Sequence, residues 1–333
     1  MSPMSRLQSD SPPALLLGKT ERMDQLPEFD SLPEIPELSL RHAWDVWGRD
    51  DVLGSMNQVT PERVAAAARL VMTGVRVSLD LPLNLPNPPL FGRQAYEHVV
   101  FPLSRNEMDD RLDNFHPQGS TQWDALNHVR CREHGYWGGR TQDPTDGPMG
   151  LGIDQFADHG IAGRGVLIDI AGWFERTGDF DPLHPRPITV EDLESVLDAQ
   201  GVELQHGDFL CLRTAWSRGY LALTETERVA YARAPTFAGL AADEDMARFL
   251  WNAHPAAICA DNPAVEVVPG DPAIGSLHRR LLPTLGMALG EMFDFETLRN
   301  ACHDENRCTF FFVAAPLKIP GGLGSPGNAL AIL

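Results

Sequence analysis

Short apolar runs separated by helix-forming segments constrain the fold of this chain more than any other feature. The runs "GVLIDIAG" (165–172), "DFLCLRTAW" (208–216), "AAICADNP" (256–263) and "RCTFFFVAAPLKI" (307–319) have the length and composition of buried strands. Between the first two, residues 189–201 predict an amphipathic helix that begins at a Thr cap, is acidic in its first turn and ends at Gly. Strands that alternate with helices predict an α/β fold with a mixed central β-sheet and flanking helices.

The first third of the chain predicts one further helix, one further strand and a loop. Residues 61–74 predict a helix with Thr60 as its N-cap and Gly74 at its end. The sequence "VRVSLDLPL" (75–83) alternates like a strand. Residues 82–97 are crowded with Pro and Asn and therefore predict a long loop.

Composition and charge bound the number of domains and the class of partner. Residues 1–40, rich in Pro, Ser, Asp and Glu, predict a mobile or loosely docked arm, and residues 41–333 are expected to form one domain. With 27 basic and 46 acidic side chains, the formal net charge is −19. This charge repels nucleic acids and anionic membranes, so neither is an expected partner, and the plainer interpretation of the charge is solubility.

Location and redox state follow from what the sequence lacks. No apolar run approaches the ~18–20 residues of a membrane span, and the N-terminal segment is too weakly apolar for a secretory signal, so a cytoplasmic location is expected. The cysteines are odd in number, form no CxxC pair and lie mainly in apolar runs, which predicts reduced thiols that fill the core. They are Cys131, Cys211, Cys259, Cys302 and Cys308.

The segment "QGSTQWDALNHV" (118–129) carries the densest group of polar side chains with chemical potential. If it begins a helix, Asp124 and His128 lie one turn apart on the same face. This spacing suits two ligands of one metal ion, or an Asp that orients a His for proton transfer. Spacing alone favours a plain surface pair, because such pairs are common on exposed helices.

Further polar side chains stand at the ends of the predicted strands. Asp169 and Asp261 follow apolar runs, and Arg213 and Trp216 follow another, at the edge where open α/β sheets tend to bind ligands. The sequence contains no GxSxG, HExxH or GxxxxGK[ST] motif, so nothing in it supports a serine hydrolase, a zincin or an NTPase.

The order of these features resembles the cyclase or arylformamidase-type metal-dependent hydrolases, which include kynurenine formamidases and isatin hydrolases. Their hallmark is His-x-Gly-Thr-His-x-Asp-x-Pro-x-His. Aligned on Thr121 and Asp124, this chain reads Gln118-Gly-Ser-Thr-Gln122-Trp-Asp-Ala-Leu-Asn-His128. Similar stretches follow in the family's order, including "WDVWGRDDVLGSMNQ", "ICADNPAVE", "LHRRLL" and "PLKIPGGLGSPGNALAI", so the resemblance covers roughly residues 42–333.

The resemblance implies a swivelling β/β/α fold, a divalent cation (manganese or zinc) and a set of ligands. It makes Asp124 a ligand and His128 the residue for acid–base catalysis. In the family a later His and Glu can complete a second metal site that shares the Asp, and His278 and Glu291 resemble this pair. Both His ligand positions of the hallmark hold a carboxamide instead, at Gln118 and Gln122.

Three readings of this departure stay open. The metal ion could shift to Gln122, Asp124, His278 and Glu291, which is the favoured reading; a carboxamide oxygen then suits manganese better than zinc. His116 could move in to replace a lost imidazole. Alternatively, the site could work without metal.

The function that the resemblance implies is hydrolysis of an amide, lactam or lactone in a small cyclic or aromatic molecule, with His128 as the general base. The alternatives are a metal-free biosynthetic cyclase or dehydratase and a non-catalytic small-molecule-binding protein. Arg213 could hold a substrate carboxylate, or it could form a structural ion pair with Asp169 or Asp261. A homodimer or homotetramer is usual in such families. The aromatic residues expected to wall the substrate pocket are Trp123, Trp216, Phe91 and Tyr96.

Overall fold

A single nine-stranded sheet runs through the protein, whose computed structural model describes residues 26–333. Its strands lie in the order β14-β6-β12-β11-β9-β7-β13-β15-β3. The bounds of these strands are β3 (Arg76–Ser78), β6 (Gln122–Asp124), β7 (Ile161–Ile168), β9 (Phe209–Leu212), β11 (Ala257–Ala260), β12 (Ala288–Glu291), β13 (Thr309–Ala314), β14 (Gly324–Pro326) and β15 (Ala329–Ile332).

The centre of the sheet is parallel and both of its flanks are antiparallel. Strands β7, β9, β11 and β12 run parallel, and their residues are almost all buried. Strands β6 and β14 continue one side antiparallel, and β13, β15 and β3 continue the other. The predicted mixed α/β fold is therefore confirmed. Because the four parallel strands end at one edge, that edge collects the polar residues that follow each of them.

Helices cover the sheet. They are α1 (Pro61–Ala67), α2 (Ile153–His159), α3 (Ile170–Thr177), α4 (Val190–Gln200), α5 (Trp216–Ala222), α6 (Glu225–Tyr231), α7 (Glu244–Asn252), α8 (Leu277–Arg280) and α9 (Glu296–Asp304). Helix α4 begins and ends as its sequence predicts: Thr189 and Asp192 form a capping box, and Gly201 takes the left-handed conformation after its last turn. The prediction for residues 61–74 is only half right. Thr60 caps α1, but the α-helix ends at Ala67 and a 3-10 turn ends at Leu70, ahead of Gly74.

Within the predicted N-terminal arm, Phe29, Leu32, Ile35 and Leu40 belong to the core, so this part of the chain is docked, while the domain boundary stays a prediction. Phe29, Leu32 and Ile35 are at most 4% exposed. The short strands β1 (Glu34–Ile35) and β2 (Leu40–Arg41) pair with each other. Apolar side chains at alternate or helical spacing outweigh the Pro- and Glu-rich composition here, because burying them stabilises the docked chain. The rest of the predicted arm, residues 1–25, lies outside the described residues.

The predicted long loop is confirmed between β3 and a two-stranded ribbon. The ribbon consists of β4 (Glu97–Pro102) and β5 (Met108–Asp113), paired antiparallel. A separate small parallel pair joins β8 (Pro187–Ile188) to β10 (Gly239–Leu240). All five cysteines are free and four are buried, as the sequence predicts. Within residues 26–333, no helix has the length and apolarity to cross a membrane; the cytoplasmic location and the oligomeric state stay predictions.

Candidate functional site

The polar segment 116–128 folds as turn, strand and turn, so the predicted helix is wrong. A turn is closed by the Gly119 amide, which donates to the carbonyl of His116 at 2.9 Å. Strand β6 follows and pairs with β12 on one side and with β14 on the other. These two ladders satisfy the backbone groups that a helix would have satisfied internally, so tertiary pairing prevails over local spacing.

Alternation along β6 separates its side chains into two sets. Gln122 and Asp124 lie on one face of the sheet, and Trp123 lies on the other. Trp123 is fully buried, meets Phe293 and Phe312 edge to face and donates its indole N–H to the carbonyl of Gly327 at 3.0 Å. It is therefore a core residue, and its predicted place in the substrate wall is wrong.

Asp124 is the buried centre of the site, with no exposed surface. One carboxylate oxygen, Oδ1, accepts from the amide of Gln118 at 2.6 Å and lies 3.9 Å from Nε2 of His128. The other oxygen, Oδ2, lies 3.7 Å from Nε2 of His278. The carboxylate thus stands between the two imidazoles that the sequence picked out.

His278 and Glu291 arrive from different elements and meet at Asp124. His278 lies on α8, and Glu291 is the last residue of β12. Nε2 of His278 lies 2.9 Å from Oε1 of Glu291, and the other oxygen of Glu291 accepts from the Gln122 amide. One ligand atom from each of Asp124, His278 and Glu291 lies within 4.8 Å of the others, a spacing that can hold a metal ion.

Glu266 orients His278, and sequence reasoning missed it. Its Oε1 lies 2.7 Å from Nδ1 of His278, and its carboxylate also accepts from the amide of Leu277 at 2.6 Å and the hydroxyl of Ser276 at 3.0 Å. A carboxylate behind an imidazole fixes its ring and raises its basicity. The available signal was a Glu inside the apolar run "AVEVV", which needs a partner when buried.

The charges of this cluster act on one another strongly. Burial raises the pKa of Glu291, and the nearby carboxylate of Asp124 raises it further. Burial alone would lower the pKa of His278, but hydrogen bonds to Glu266 and Glu291 raise it well above the ordinary value. Burial likewise opposes ionisation of Glu266, yet the bond to His278 lowers the pKa of this carboxyl. The positive charge of the His278 imidazole lowers the free-energy cost of burying the three carboxylates around it.

Gln118 decides the tautomer of His128. Its amide nitrogen donates to Asp124 and also lies 3.3 Å from Nδ1 of His128. Because the carboxylate requires an N–H from this amide, the nitrogen must face both partners, and Nδ1 accepts. A neutral His128 therefore carries its proton on Nε2. The 3.3 Å contact is long for a hydrogen bond, so little free energy is lost when it breaks.

Several predicted site residues lie elsewhere. Arg213, 2% exposed, donates to Asp169 at 2.6 Å and to Glu296 at 2.8 and 2.9 Å. The structural ion pair is thus what the structure shows, and Arg213 as a ligand of a substrate carboxylate is wrong. Trp216, fully buried, stacks on Tyr220 in a separate apolar cluster and is no pocket wall either.

Two of the three remaining predicted residues line a cavity between residues 83–96 and 115–119. Tyr96 and His116 line it, together with Phe115 and several Pro and Asn residues. Phe91 is 47% exposed and does not line this cavity. The cavity measures about 130 Å³, close to the ~150 Å³ of a cavity that accommodates one benzene ring. Nε2 of His116 accepts from the amide of Gln94 at 3.4 Å, and His116 is no member of the three-ligand group.

Two buried oxygens show that the cluster fits a divalent cation. Among the described residues, Oδ2 of Asp124 and Oε1 of Gln122 have no hydrogen-bond partner. A buried polar atom without a hydrogen-bond partner costs free energy. Two such oxygens in one cluster therefore indicate that a positively charged group binds between them. Carboxylate and carboxamide oxygens with one imidazole form a hard ligand set, which suits manganese or magnesium better than zinc.

Comparisons with known proteins agree with this architecture. Residues 54–267 match the family described as "Putative cyclase". A crystal structure described as a novel cyclase is 32% identical, covers 88% of this chain and 99% of its own, and has a TM-score of 0.78. Isatin hydrolase A from Labrenzia aggregata, bound to benzyl benzoate, is 18% identical over 83% of this chain and 98% of its own, with a TM-score of 0.57. An isatin hydrolase bound to the product analogue thioisatinate is 17% identical over 81% and 96%, with a TM-score of 0.56. No curated protein matches significantly.

Proposed function

Because this chain belongs to the cyclase family, we propose that it is a hydrolase of a C–N or C–O bond, in an amide, lactam or lactone of a small cyclic or aromatic molecule. The choice of hydrolysis is supported by the isatin hydrolases that share the fold. The family and the fold do not fix the bond, so the proposal depends on the site.

One observation carries the proposal. Three potential ligands from β6, α8 and β12 converge on one point, and two buried oxygens there have no hydrogen-bond partner among the described residues. Most buried polar groups have a hydrogen-bond partner, so two unmet oxygens in the cluster that offers the three ligands favour a bound cation. Unmet oxygens at the carboxyl edge of a parallel sheet are expected where a cation and a substrate bind.

The residues that would hold a cation are Asp124, His278, Glu291 and Gln122. Gln122 would offer Oε1, which has no hydrogen-bond partner among residues 26–333. A divalent cation, when bound, acts as a Lewis acid that makes water more acidic and polarises a carbonyl. We propose manganese as the ion that fits this set, because the two oxygen donors that replace imidazoles are hard ligands.

The protein side chains move the proton. His128 has its proton on Nε2 and can donate it to the leaving nitrogen or oxygen. To act as a general base, Nδ1 must first release the amide of Gln118. The ring is 28% exposed in its side chain, so it can reach a substrate, whereas Asp124 beside it has no exposed surface.

A second candidate is acid–base catalysis without metal, as in a cyclase or dehydratase. It is favoured by the pairing of His278, which contacts Glu266 at 2.7 Å and Glu291 at 2.9 Å without any cation. The two candidates differ in one respect that can be measured, namely whether turnover follows the metal content.

The test is a metal-dependence assay on the full-length protein. Protein stripped with a chelator is assayed with aryl lactones, isatin-like lactams and N-formyl anilines, before and after addition of manganese, magnesium or zinc. We expect ring opening or deformylation that returns with manganese in stoichiometric amounts. Turnover that ignores the metal would favour the second candidate, and absence of turnover on all three substrate classes would refute hydrolysis.

A further inference from the structure

We propose that the protein binds a small organic oxyanion, namely a phosphate or a carboxylate that carries an apolar group, in a pocket distinct from the candidate metal centre. The pocket lies between α8, residues 272–276 before it and strand β2. It measures about 180 Å³, somewhat more than the ~150 Å³ of a cavity that accommodates one benzene ring. The inference goes beyond the proposed hydrolysis and does not depend on it.

Three arginines line this pocket, which we term the arginine pocket: Arg132, Arg279 and Arg280. The described residues of its lining include no Asp or Glu, and its walls are apolar at Leu40 and Ile274. Guanidinium groups bind phosphate and carboxylate oxygens through paired N–H donors. Three of them around one pocket with apolar walls therefore favour an anion that has an apolar part.

Acidic side chains satisfy other arginines of this chain. Arg213 pairs with two carboxylates, and Arg248 pairs with three. Within residues 26–333, by contrast, Arg132, Arg279 and Arg280 form no ion pair at 4.0 Å or less. The chain has 46 acidic side chains, so a shortage of carboxylates does not explain why these three arginines have no partner there.

Backbone contacts hold the guanidinium group of Arg280 in a fixed orientation. Its Nε donates to the carbonyl of Ala242 at 3.0 Å, and its Nη2 donates to the carbonyl of Ile274 at 3.2 Å. Its Nη1 has no hydrogen-bond partner among the described residues. One donor is therefore already ordered, so a ligand that accepts from it loses little free energy to side-chain ordering.

The other two arginines approach from different parts of the chain. Burial raises the pKa of the Cys131 thiol, and the charges of Arg279 and Arg132 both oppose this rise, so these two guanidinium groups lie near the same point. Arg132 has a φ of 47°, a left-handed conformation that costs free energy for a residue other than Gly. Such backbone strain is common where a side chain is positioned for a ligand.

The nearest carboxylates weaken the positive potential of the arginine pocket without occupying its donors. Glu244, Asp243 and Glu266 act on Arg280 from beyond ion-pair distance. Glu266 is itself paired with His278 at 2.7 Å, so this pair contributes little net charge. The N–H donors of the three arginines thus stay available for the oxygens of a ligand.

The helix macrodipole does not explain the positions of Arg279 and Arg280. Cations are favourable in the last turn of a helix, where the carbonyl groups have no partner within the helix. After Arg280, however, the chain continues as a π-helical turn, Leu281–Leu285, which ends at Gly286. The carbonyl groups without helical partners therefore lie further along the chain, and another source of negative charge is expected at the two arginines.

The inference is tested by calorimetric titration of the full-length protein with phenyl phosphate, benzoate and inorganic phosphate at constant ionic strength. The protein is first stripped with a chelator, so that no cation at Asp124 can hold the anion. We expect one site per chain, and an affinity for at least one aromatic anion about tenfold or more above that for inorganic phosphate, because the ring contacts the apolar walls. The tighter of the two aromatic anions identifies the group as phosphate or carboxylate.

Arg279→Gln removes one cation of the arginine pocket and should weaken binding about tenfold or more, since a charge-assisted hydrogen bond is lost. Arg279→Lys keeps the charge and should weaken binding less. Neither variant should alter urea unfolding, because the side chain of Arg279 has no hydrogen-bond partner to lose within the described part of the chain. The control Arg105→Gln removes the same charge at an exposed position between β4 and β5 and should leave the affinity unchanged.

The inference would be overturned if neither aromatic anion bound saturably or if both bound no more tightly than inorganic phosphate. Equal losses in Arg279→Gln and Arg105→Gln would also overturn it, because they would show that the overall charge of the chain governs binding. If Arg279→Gln proves less stable to urea, the same comparison is made between Arg279→Lys and Arg105→Gln. None of these results bears on the proposed hydrolysis, which is tested by metal-dependent turnover.

Discussion

Two clusters of buried charge lie where the parallel strands end, the first after β7 and β9 and the second at β6 and β12, and they differ in whether their atoms are satisfied. The first, which we term the closed cluster, is Arg213 with Asp169 and Glu296. The second, the open cluster, is Asp124 with His278 and Glu291. In the closed cluster, three guanidinium nitrogens donate to two carboxylates at 2.6–2.9 Å. In the open cluster, Oδ2 of Asp124 has no hydrogen-bond partner within residues 26–333.

Asp261, which neighbours the closed cluster, also has hydrogen-bond partners for its carboxylate. Asp261 is fully buried, and burial raises its pKa to about 7. Its oxygens nevertheless accept three hydrogen bonds, from the amide and hydroxyl of Thr214 and from the amide of Ala215. Burial of charge is therefore no sign of function by itself, since both clusters are buried. What separates the two clusters is that Oδ2 of Asp124 and Oε1 of Gln122 have no hydrogen-bond partner among the described residues, whereas all three guanidinium nitrogens of Arg213 have one.

The substitution with the largest expected effect removes the charge at the centre of the open cluster. Asp124→Asn keeps the shape and an oxygen for Gln118 but removes the charge. We expect kcat/KM to fall by about 10²–10³ and bound manganese to be lost. The reason is that the charge that develops in the transition state loses the fixed carboxylate that stabilises it. Stability to urea should change little, since Oδ2 has no hydrogen bond to lose.

The matched control is Asp169→Asn in the closed cluster. Asp169 binds Arg213 and caps α3 through the amide of Gly172. This variant should lose stability while its kcat/KM stays within about twofold of the wild type. If both Asp→Asn variants lost turnover equally, the distinction between the clusters would be wrong.

The substitution with the next largest expected effect removes the cation of the closed cluster. Arg213→Met leaves the carboxylate of Glu296 without its partner and that of Asp169 with only the longer 3.7 Å contact to Arg299, and should lower the free energy of unfolding by about 3 kcal/mol. The value lies at the lower end for a buried pair because the side chains of Asp169 and Glu296 keep 18% and 28% of their exposure. Urea unfolding measures it, and turnover per folded molecule should be preserved.

An exposed ion pair provides the comparison for that loss. Arg218 pairs with Glu175, and both side chains are more than one-third exposed. Arg218→Met should therefore cost under about 1 kcal/mol. A loss as large as that of Arg213→Met would mean that burial does not set the contribution.

The smallest expected effect sharpens the comparison within the open cluster. Glu266→Gln keeps an acceptor for the amide of Leu277 but removes the charge behind His278. We expect manganese affinity to fall about 10–100-fold, with a shifted pH profile of kcat/KM. Glu194→Gln, at an exposed position of α4, is the control and should change neither. An unchanged pH profile in Glu266→Gln would show that Glu266 only supports the fold.

Much of the fold could be read from local sequence. Helix α4 is predicted to the residue because Thr189, Asp192 and Gly201 satisfy its ends without help from elsewhere. The strands β7, β9, β11 and β13 follow from short apolar runs, which cannot be exposed. The sequence analysis did not predict that residues 29–35 dock on the core. The three apolar side chains of this segment stand among Pro and Glu, so the average composition is that of a mobile arm.

The site could be predicted in its members but not in its shape. His278 and Glu291 were selected by resemblance, and the structure brings them to Asp124. The strand that carries Asp124 was mistaken for a helix, because the spacing of Asp124 and His128 contains no information on the two strands that pair with β6. That same error placed Trp123 at the pocket, since only strand alternation sends it to the opposite face.

The sequence by itself determined the buried strands β7, β9, β11 and β13, both ends of α4 and the identity of the charged residues, because each depends on residues that are close along the chain. The tertiary structure alone decided which charges are satisfied. Arg213 finds Glu296 83 residues away, Gln122 finds Glu291 169 residues away, and Oδ2 of Asp124 finds no hydrogen-bond partner among the residues described. A hydrogen bond depends on the positions of two atoms in space. The difference between the closed cluster and the open cluster therefore appears only when the chain has folded.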